Sequence, residues 1–388
     1  MKSLAILGLG AMGFGLLHQT LFTRGFTVAA AYDVNPARTA LARSLAERHD
    51  ALKTARFCAS LDEFLSFAAT VDIMIDASSA MADARTACLR YLERGRHVFM
   101  MNAEADLEFG PELLDLARTR GAIYSAIDGD QHGVIKKLAD EVSAWGFRLV
   151  MLGNIKGFLD RYATPTSIEP EARKRDLDPR MCCAYTDGSK LSIEMALLAN
   201  AFGAVCVRPG MSGPRIAHVD QVPSHFDLDG LWDGGVPIVD YVLGAQPDGG
   251  VFVVGYSDDA YHRKMMRYYK RGDGPHYVFY RPYHLCHVES LATIERSLSF
   301  GLDLLQPVRG RRAQVVCYAK RDLEPGTPLD GLGGADCYGQ IENAPADAAG
   351  LPICLADGSI LQRALRRDER IALADVEPGP LAALGRAG

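Results

Sequence analysis

No apolar run in this 388-residue chain approaches the ~18 residues that a membrane-spanning helix needs. Positive charge is not in excess either. Lys and Arg number 42 against 48 Asp and Glu, a net charge of −6, so no field draws the chain to nucleic acid or to an anionic membrane. The nine cysteines follow no regular spacing, and Cys182 and Cys183 are adjacent rather than arranged as C-x-x-C. That excludes a disulfide framework or a zinc ribbon and reads as reduced, buried thiols. Internal repeats and low-complexity stretches are absent. Met1-Lys2 leads straight into an apolar strand that a cleavable signal would have to destroy, so none is expected, and the reduced thiols point to a cytoplasmic protein. What remains is ordinary globular composition, 48% hydrophobic and 23% charged, with length for two or three domains.

The most informative segment is the first. Residues 4–15 read Leu-Ala-Ile-Leu-Gly-Leu-Gly-Ala-Met-Gly-Phe-Gly, a short apolar run followed by Gly8, Gly10 and Gly13. This is strand, G-x-G-x-x-G, helix. The first glycine allows the tight turn, the second lets the backbone approach a pyrophosphate, and the third lets the helix pack on the strand. The helix start at Ala11 and Met12 then offers N–H groups and a partial positive charge to phosphates. A second apolar run, Phe26–Tyr32, ends in Asp33, 20 residues beyond Gly13, where an acid accepts hydrogen bonds from an adenosine ribose. Asp33 favours NAD; Arg38 lies within reach of a 2′-phosphate and keeps NADP open.

Residues 1–130 continue in a βαβ rhythm: strand Ile73–Asp76 leading into Ala77-Ser78-Ser79, helix Ala82–Arg94, strand His97–Met101, and Ala122–Ile127. The expected architecture is α/β, an N-terminal Rossmann doubly wound parallel sheet with ligands at the C-terminal strand ends. An α+β catalytic domain is expected over 131–310. It contains helices at Lys136–Trp145 and Lys190–Phe202, strands at Leu149–Ile155, Val251–Gly255 and Tyr277–Tyr280, and a charged, proline-interrupted stretch at Ser167–Pro179. Residues 311–388 read as a small β-rich module and tail, beginning with a strand at Ala313–Ala319.

Four further segments carry a resemblance: Met101-Asn102-Ala103-Glu104-Ala105-Asp106, Arg180-Met181 with Thr186-Asp187-Gly188-Ser189-Lys190, Tyr280-Arg281-Pro282-Tyr283-His284, and Asp322–Leu329. With the dinucleotide motif they resemble the homoserine-dehydrogenase-like oxidoreductases that carry a C-terminal SAF (β-clip) domain. That group includes 1-deoxy-D-xylulose 5-phosphate reductoisomerase-like proteins and oxidoisomerases of branched sugar acids. The resemblance spans nearly the whole chain. It implies an NAD(P)-dependent oxidoreductase and a dimer, and it makes 311–388 a SAF-like module. Homoserine dehydrogenases carry a catalytic Lys in an Asn-Lys pair at a strand end; here Asn102 is followed by Ala103, which points away from homoserine as substrate. Asp187 and Lys190 look like the Asp and Lys that face the nicotinamide, three residues apart rather than four.

Lys190 is the candidate acid/base and Asp187 the group that orients it. The bland alternative is that Asp187-Gly188-Ser189 caps a helix while Lys190 and Glu194 form a surface pair. Asn102 and Glu104, at a strand end, are candidates for holding the nicotinamide carboxamide or a reacting hydroxyl, although Asn also suits a turn. Asp128, Asp130 and His132 lie in an acidic loop. Asp128 and Asp130 would bind substrate hydroxyls or, with Glu104, Mg²⁺ or Mn²⁺. The same letters fit a turn and helix cap. Lys156 is a second acid/base or anion ligand. Arg180 and Arg281 offer guanidinium forks to a carboxylate or phosphate, and His284 a hydrogen bond. His284-Leu285-Cys286-His287 lacks the second ligand pair a zinc site needs.

The reading that follows is an oxidoreductase, reductoisomerase or oxidoisomerase acting on a small polar sugar phosphate or sugar acid, without nucleic-acid or membrane partners. A tailoring dehydrogenase of a secondary-metabolite pathway, or a non-catalytic nucleotide-regulated carbohydrate-binding or assembly protein, remains the alternative.

Overall fold

The computed structural model describes residues 1–127, 131–175, 177–344 and 349–385. The chain divides into two compact units, Met1–Gly133 with Leu285–Pro307, and Val134–His284 with Val308–Gly388.

The first unit is built on β1 (Lys2–Leu7), α1 (Ala11–Gln19), β2 (Phe26–Tyr32), α2 (Pro36–Glu47), β3 (Arg56–Phe57), α3 (Leu61–Ser66), β4 (Ile73–Asp76), α4 (Met81–Glu93), β5 (His97–Met100), α5 (Ala103–Arg120) and β6 (Tyr124–Ala126). All six strands are parallel, in the order β3-β2-β1-β4-β5-β6. The order reverses beside β1, which is the switch point of a doubly wound sheet. Leu4, Ile6, Ile73, Ile75 and Phe99 are fully buried, as expected of strands covered on both faces.

The second unit begins within α6 (Gln131–Ala144) and continues through β7 (Arg148–Lys156), α7 (Pro165–Lys174), α8 (Pro179–Thr186), α9 (Ser189–Phe202), α10 (Val222–His225), α11 (Leu228–Leu231), β8 (Ile238–Leu243), β9 (Val251–Tyr256), α12 (Ala260–Tyr268) and β10 (His276–Arg281). Its sheet has the order β10-β9-β7-β8, with β7 and β8 parallel and the other pairs antiparallel. The charged stretch Ser167–Pro179 lies mostly in α7, which carries Pro170 inside the helix, and it reaches α8 at Pro179. Pro165 and Pro179 stand in the first turns of α7 and α8, where the missing N–H costs nothing, and Thr164 and Ser167 close a capping box on α7.

The chain then returns to the first unit as α13 (Cys286–Phe300) before β11 (Ala313–Ala319), β12 (Cys337–Asn343), β13 (Ile360–Leu361), β14 (Val376–Glu377) and α14 (Pro380–Gly385). Two expected divisions therefore differ from the structure. Residues 285–307 do not stay in the middle domain: Leu291 and Ile294 of α13 join the core of the first unit. The His287 ring occupies the place a Cβ on Gly15 would need, 2.6 Å away, so this fourth glycine of the opening motif lets α13 dock on α1. Residues from 311 onward do not form a separate body either. The antiparallel pair β11-β12 packs on α9, where Asn200 Oδ1 accepts the N–H groups of Arg312 and Ala313 at 2.7 and 2.9 Å.

Candidate functional site

In the first unit Gly8 makes the tight turn and Gly13 the close helix approach that their spacing predicts. Gly8 takes φ +86°, donates its N–H to Tyr32 O at 2.8 Å, and has Ala77 O and Ser78 at 2.7 Å from where a Cβ would stand. A Cβ on Gly13 would fall 1.9 Å from Gly8 O, so only glycine lets α1 lie this close to the β1 turn. Gly10 is the N-cap of α1, with no side-chain cap and no acidic residue in the first turn. The N–H groups around Ala11 and Met12 therefore keep their positive end for an incoming anion.

Asp33 is buried at the end of β2. Its Oδ2 accepts Leu9 N–H at 2.6 Å, its Oδ1 accepts Asn35 N–H at 2.7 Å, and Arg38 Nη1 lies 3.8 Å from Oδ2. The half-exposed Arg38 guanidinium also stands beside Gly10, 3.1 Å from its Cβ position. A cradle of bare glycine backbone with an acid and an arginine at its ribose end fits a pyrophosphate-linked dinucleotide.

Asn102 is the N-cap of α5, its Oδ1 accepting Ala105 N–H at 3.0 Å. Glu104 and Asp106 lie in the first turn of α5 and are buried, where the helix's positive end favours acids. Burial pushes the Asp106 carboxyl up to about 7, against the pull of its hydrogen bond from Tyr124. Asp128 and Asp130 lie outside the described residues. Among the described residues no group of three or more His, Cys, Asp or Glu could hold a metal ion.

In the second unit the centre is α9, every residue of which from Ser189 to Ala201 is buried. Gly188, at φ +87°, separates α8 from α9. Asp187 and Lys190 thus do not share a helix: Asp187 is the C-cap of α8, while Lys190 lies in the first turn of α9. The Asp187 carboxylate accepts Ser189 N–H at 2.8 Å and pairs with Lys320 at 2.8 Å, both side chains shielded from solvent. Lys320 Nζ also donates to Ala163 O and Gly334 O at 2.7 and 2.6 Å and lies 3.4 Å from Cys183 Sγ. Burial works against the Lys320 ammonium, but the Asp187 carboxylate and the Cys183 sulfur together more than offset it and hold Lys320 above the ordinary lysine range.

Lys190 is 4% exposed and Glu194 1%, so they are not a surface pair. Glu194 Oε2 accepts Asn154 Nδ2 of β7 at 3.1 Å. Ser189 Oγ accepts Gly339 N–H of β12 at 2.7 Å. The turn carrying Lys190 is therefore held from both sides, by the sheet and by the β11-β12 pair.

Lys156 is the half-buried last residue of β7. Arg180 is spent on Leu332 O and Asp330 O and on Asp357 at 3.6 Å, which ties α8 to the C-terminal segment. Arg281 ends β10 with its guanidinium 4.4 Å above the Tyr283 ring. His284 closes the second unit's first segment and His287 belongs to the first unit, so the His-x-x-His run is divided. Lys320, the burial of Glu194 and the role of Asp76 were not foreseen from the sequence. Asp76 alone had a local signal, a charge ending an otherwise apolar strand.

The class these features define is an NAD(P)-dependent oxidoreductase. Residues 8–126 match the homoserine dehydrogenase NAD binding domain, and residues 129–290 match the catalytic domain of oxidoreductase DRL. No curated protein matches the chain. Similar solved structures include UDP-N-acetylglucosamine 3-dehydrogenase from Acidithiobacillus ferrooxidans, 14% identical, TM-score 0.45, covering 80% of this chain and 93% of that one. An oxidoreductase from Bacillus cereus is 12% identical, TM-score 0.46, with 79% and 92% covered. A DOX-P reductoisomerase in complex with magnesium is 15% identical, TM-score 0.37, with 50% and 56% covered. No helix among the described residues is long and apolar enough to cross a membrane.

Proposed function

We propose that the chain is a reductoisomerase or oxidoisomerase of a small polyhydroxylated sugar phosphate or sugar acid, with Lys190 as its acid/base. The observation that carries this reading is a lysine buried in the first turn of α9, within the segment that matches the DRL catalytic domain. Burying an ammonium on a helix start is costly, and a fold that does so in a catalytic domain has a use for it. The bound nicotinamide supplies or accepts the hydride. Lys190 donates a proton to the carbonyl oxygen in reduction and removes the hydroxyl proton in oxidation. Asp187, paired with Lys320, fixes the turn from which Lys190 projects. Asn102 and Glu104 belong with the cofactor's amide or a substrate hydroxyl. An isomerising reaction adds a carbon-skeleton shift of the α-ketol or retro-aldol type to the redox step.

The test is cofactor-coupled absorbance against a panel of phosphorylated ketoses, sugar acids and amino-acid alcohols, with and without Mg²⁺, followed by product analysis by NMR. A rearranged carbon skeleton supports the proposal. Redox turnover with the skeleton intact limits the enzyme to a simple dehydrogenase and refutes the isomerase part.

A further inference from the structure

Asp76 ends β4 with no solvent exposure. Its backbone oxygen accepts Met101 N–H at 2.8 Å, and its Oδ1 accepts Ser78 N–H at 2.9 Å. Its Oδ2 and the Nδ2 of Asn102 are both buried, and neither closes a hydrogen bond of good geometry among the described residues. The Asn102 amide nonetheless lies close enough to favour the ionised form of Asp76. One carboxyl thus contacts two elements of the cofactor cradle: the Ser78 turn that packs on Gly8, and Asn102 at the head of α5.

The sheet order says which half of the cofactor this is. Asp33, on the ribose side, ends β2, whereas β4 and β5 follow β1 on the opposite side of the switch point. The ends of β4 and β5 therefore lie in the nicotinamide half of the crevice. Oxidised nicotinamide carries a positive ring charge and reduced nicotinamide does not, and a buried carboxylate distinguishes the two far better than one in water.

We propose that Asp76 tunes which redox form of the cofactor the protein holds: ionised, it favours the oxidised, cationic nicotinamide, and protonated it gives up that preference. The proposal rests on the nicotinamide cofactor read above. Burial raises the Asp76 carboxyl to about 7, opposed by the Ser78 and Asn102 hydrogen bonds and reinforced by Glu104, so its charge changes near neutral pH. Among the described residues the other titratable groups around it include Tyr124 of β6, Cys88 of α4 and, beside these two, Asp106 of α5. Asp76 is a positioning residue that acts through Asn102 and through its charge.

The experiment is binding of NADP⁺ and NADPH, and of NAD⁺ and NADH, to the whole protein between about pH 6 and about pH 8.5. The quantity read is the ratio of oxidised to reduced affinity, in which titration of a 2′-phosphate cancels. In the wild type this ratio should rise about tenfold across that range, and in Asp76→Asn it should stay flat. If the variant does not fold, calorimetry of the wild type in buffers of different ionisation enthalpy serves instead. Near neutral pH NAD⁺ should release a fraction of a proton on binding and NADH none. A flat wild-type ratio, or an equal slope in Asp76→Asn, overturns the proposal while leaving the cofactor assignment standing. A wild type that binds neither form overturns both.

Discussion

Lys320→Met removes one ammonium and little else, since methionine keeps most of the aliphatic stem. In the wild type that ammonium is 2% exposed and faces an Asp187 side chain with no exposure at all. The substitution strands the carboxylate and takes donors from Ala163 O and Gly334 O. Removing one partner of a buried pair costs about 3–5 kcal/mol. Adding Asp187→Asn removes the stranded charge and should restore about 1–3 kcal/mol. The assay is urea unfolding followed by tryptophan fluorescence. Both tryptophans, Trp145 and Trp232, lie in the second unit, so the signal reports on the unit under test. The pH arm has a definite sign. Because the folded Lys320 sits above an ordinary lysine, its contribution is full below the unfolded value and is lost only as pH rises through the folded one, above about pH 10.5. A Lys320→Met protein within about 1 kcal/mol of wild type, or a double variant as unstable as the two singles summed, would refute this account.

Gly13→Val should weaken NADH and NADPH binding more than about 100-fold by nicotinamide fluorescence, because its side chain must displace Gly8. Arg38→Ala should cost NADPH about tenfold more affinity than NADH, since only NADPH carries a 2′-phosphate for the fork. Asp106, raised to about 7, holds a proton in the folded state between about pH 4 and 7 that the unfolded chain releases. Stability therefore falls as pH rises through that window, by on the order of 4 kcal/mol from this group. In Asp106→Asn, urea unfolding followed by far-UV circular dichroism should show that part of the slope gone.

The first unit was legible because its constraints are local. Gly8, Gly10, Gly13 and Asp33 lie within one βαβ step, and the apolar runs Phe26–Tyr32 and Ile73–Asp76 are the observed β2 and β4. The second unit was less so because its decisive contacts are distant in sequence. Lys320 meets Asp187 from the far side of the chain, and nothing around Lys320 marks it as more than a strand end. Lys190 and Glu194 have the spacing of a solvated pair. Only the arrival of β7 on one side of α9 and β11-β12 on the other buries them. The recruitment of α13 by the first unit was equally hidden, since an amphipathic helix carries no label for the core it joins, and Gly15 makes sense only once His287 is seen against it.

The most direct test of the central claim compares wild type with Lys190→Ala in one cofactor-coupled absorbance assay, with nicotinamide binding measured on the same samples. The account predicts that the variant binds reduced cofactor as the wild type does and loses turnover by about 100-fold or more. Turnover at the wild-type rate in Lys190→Ala would contradict it.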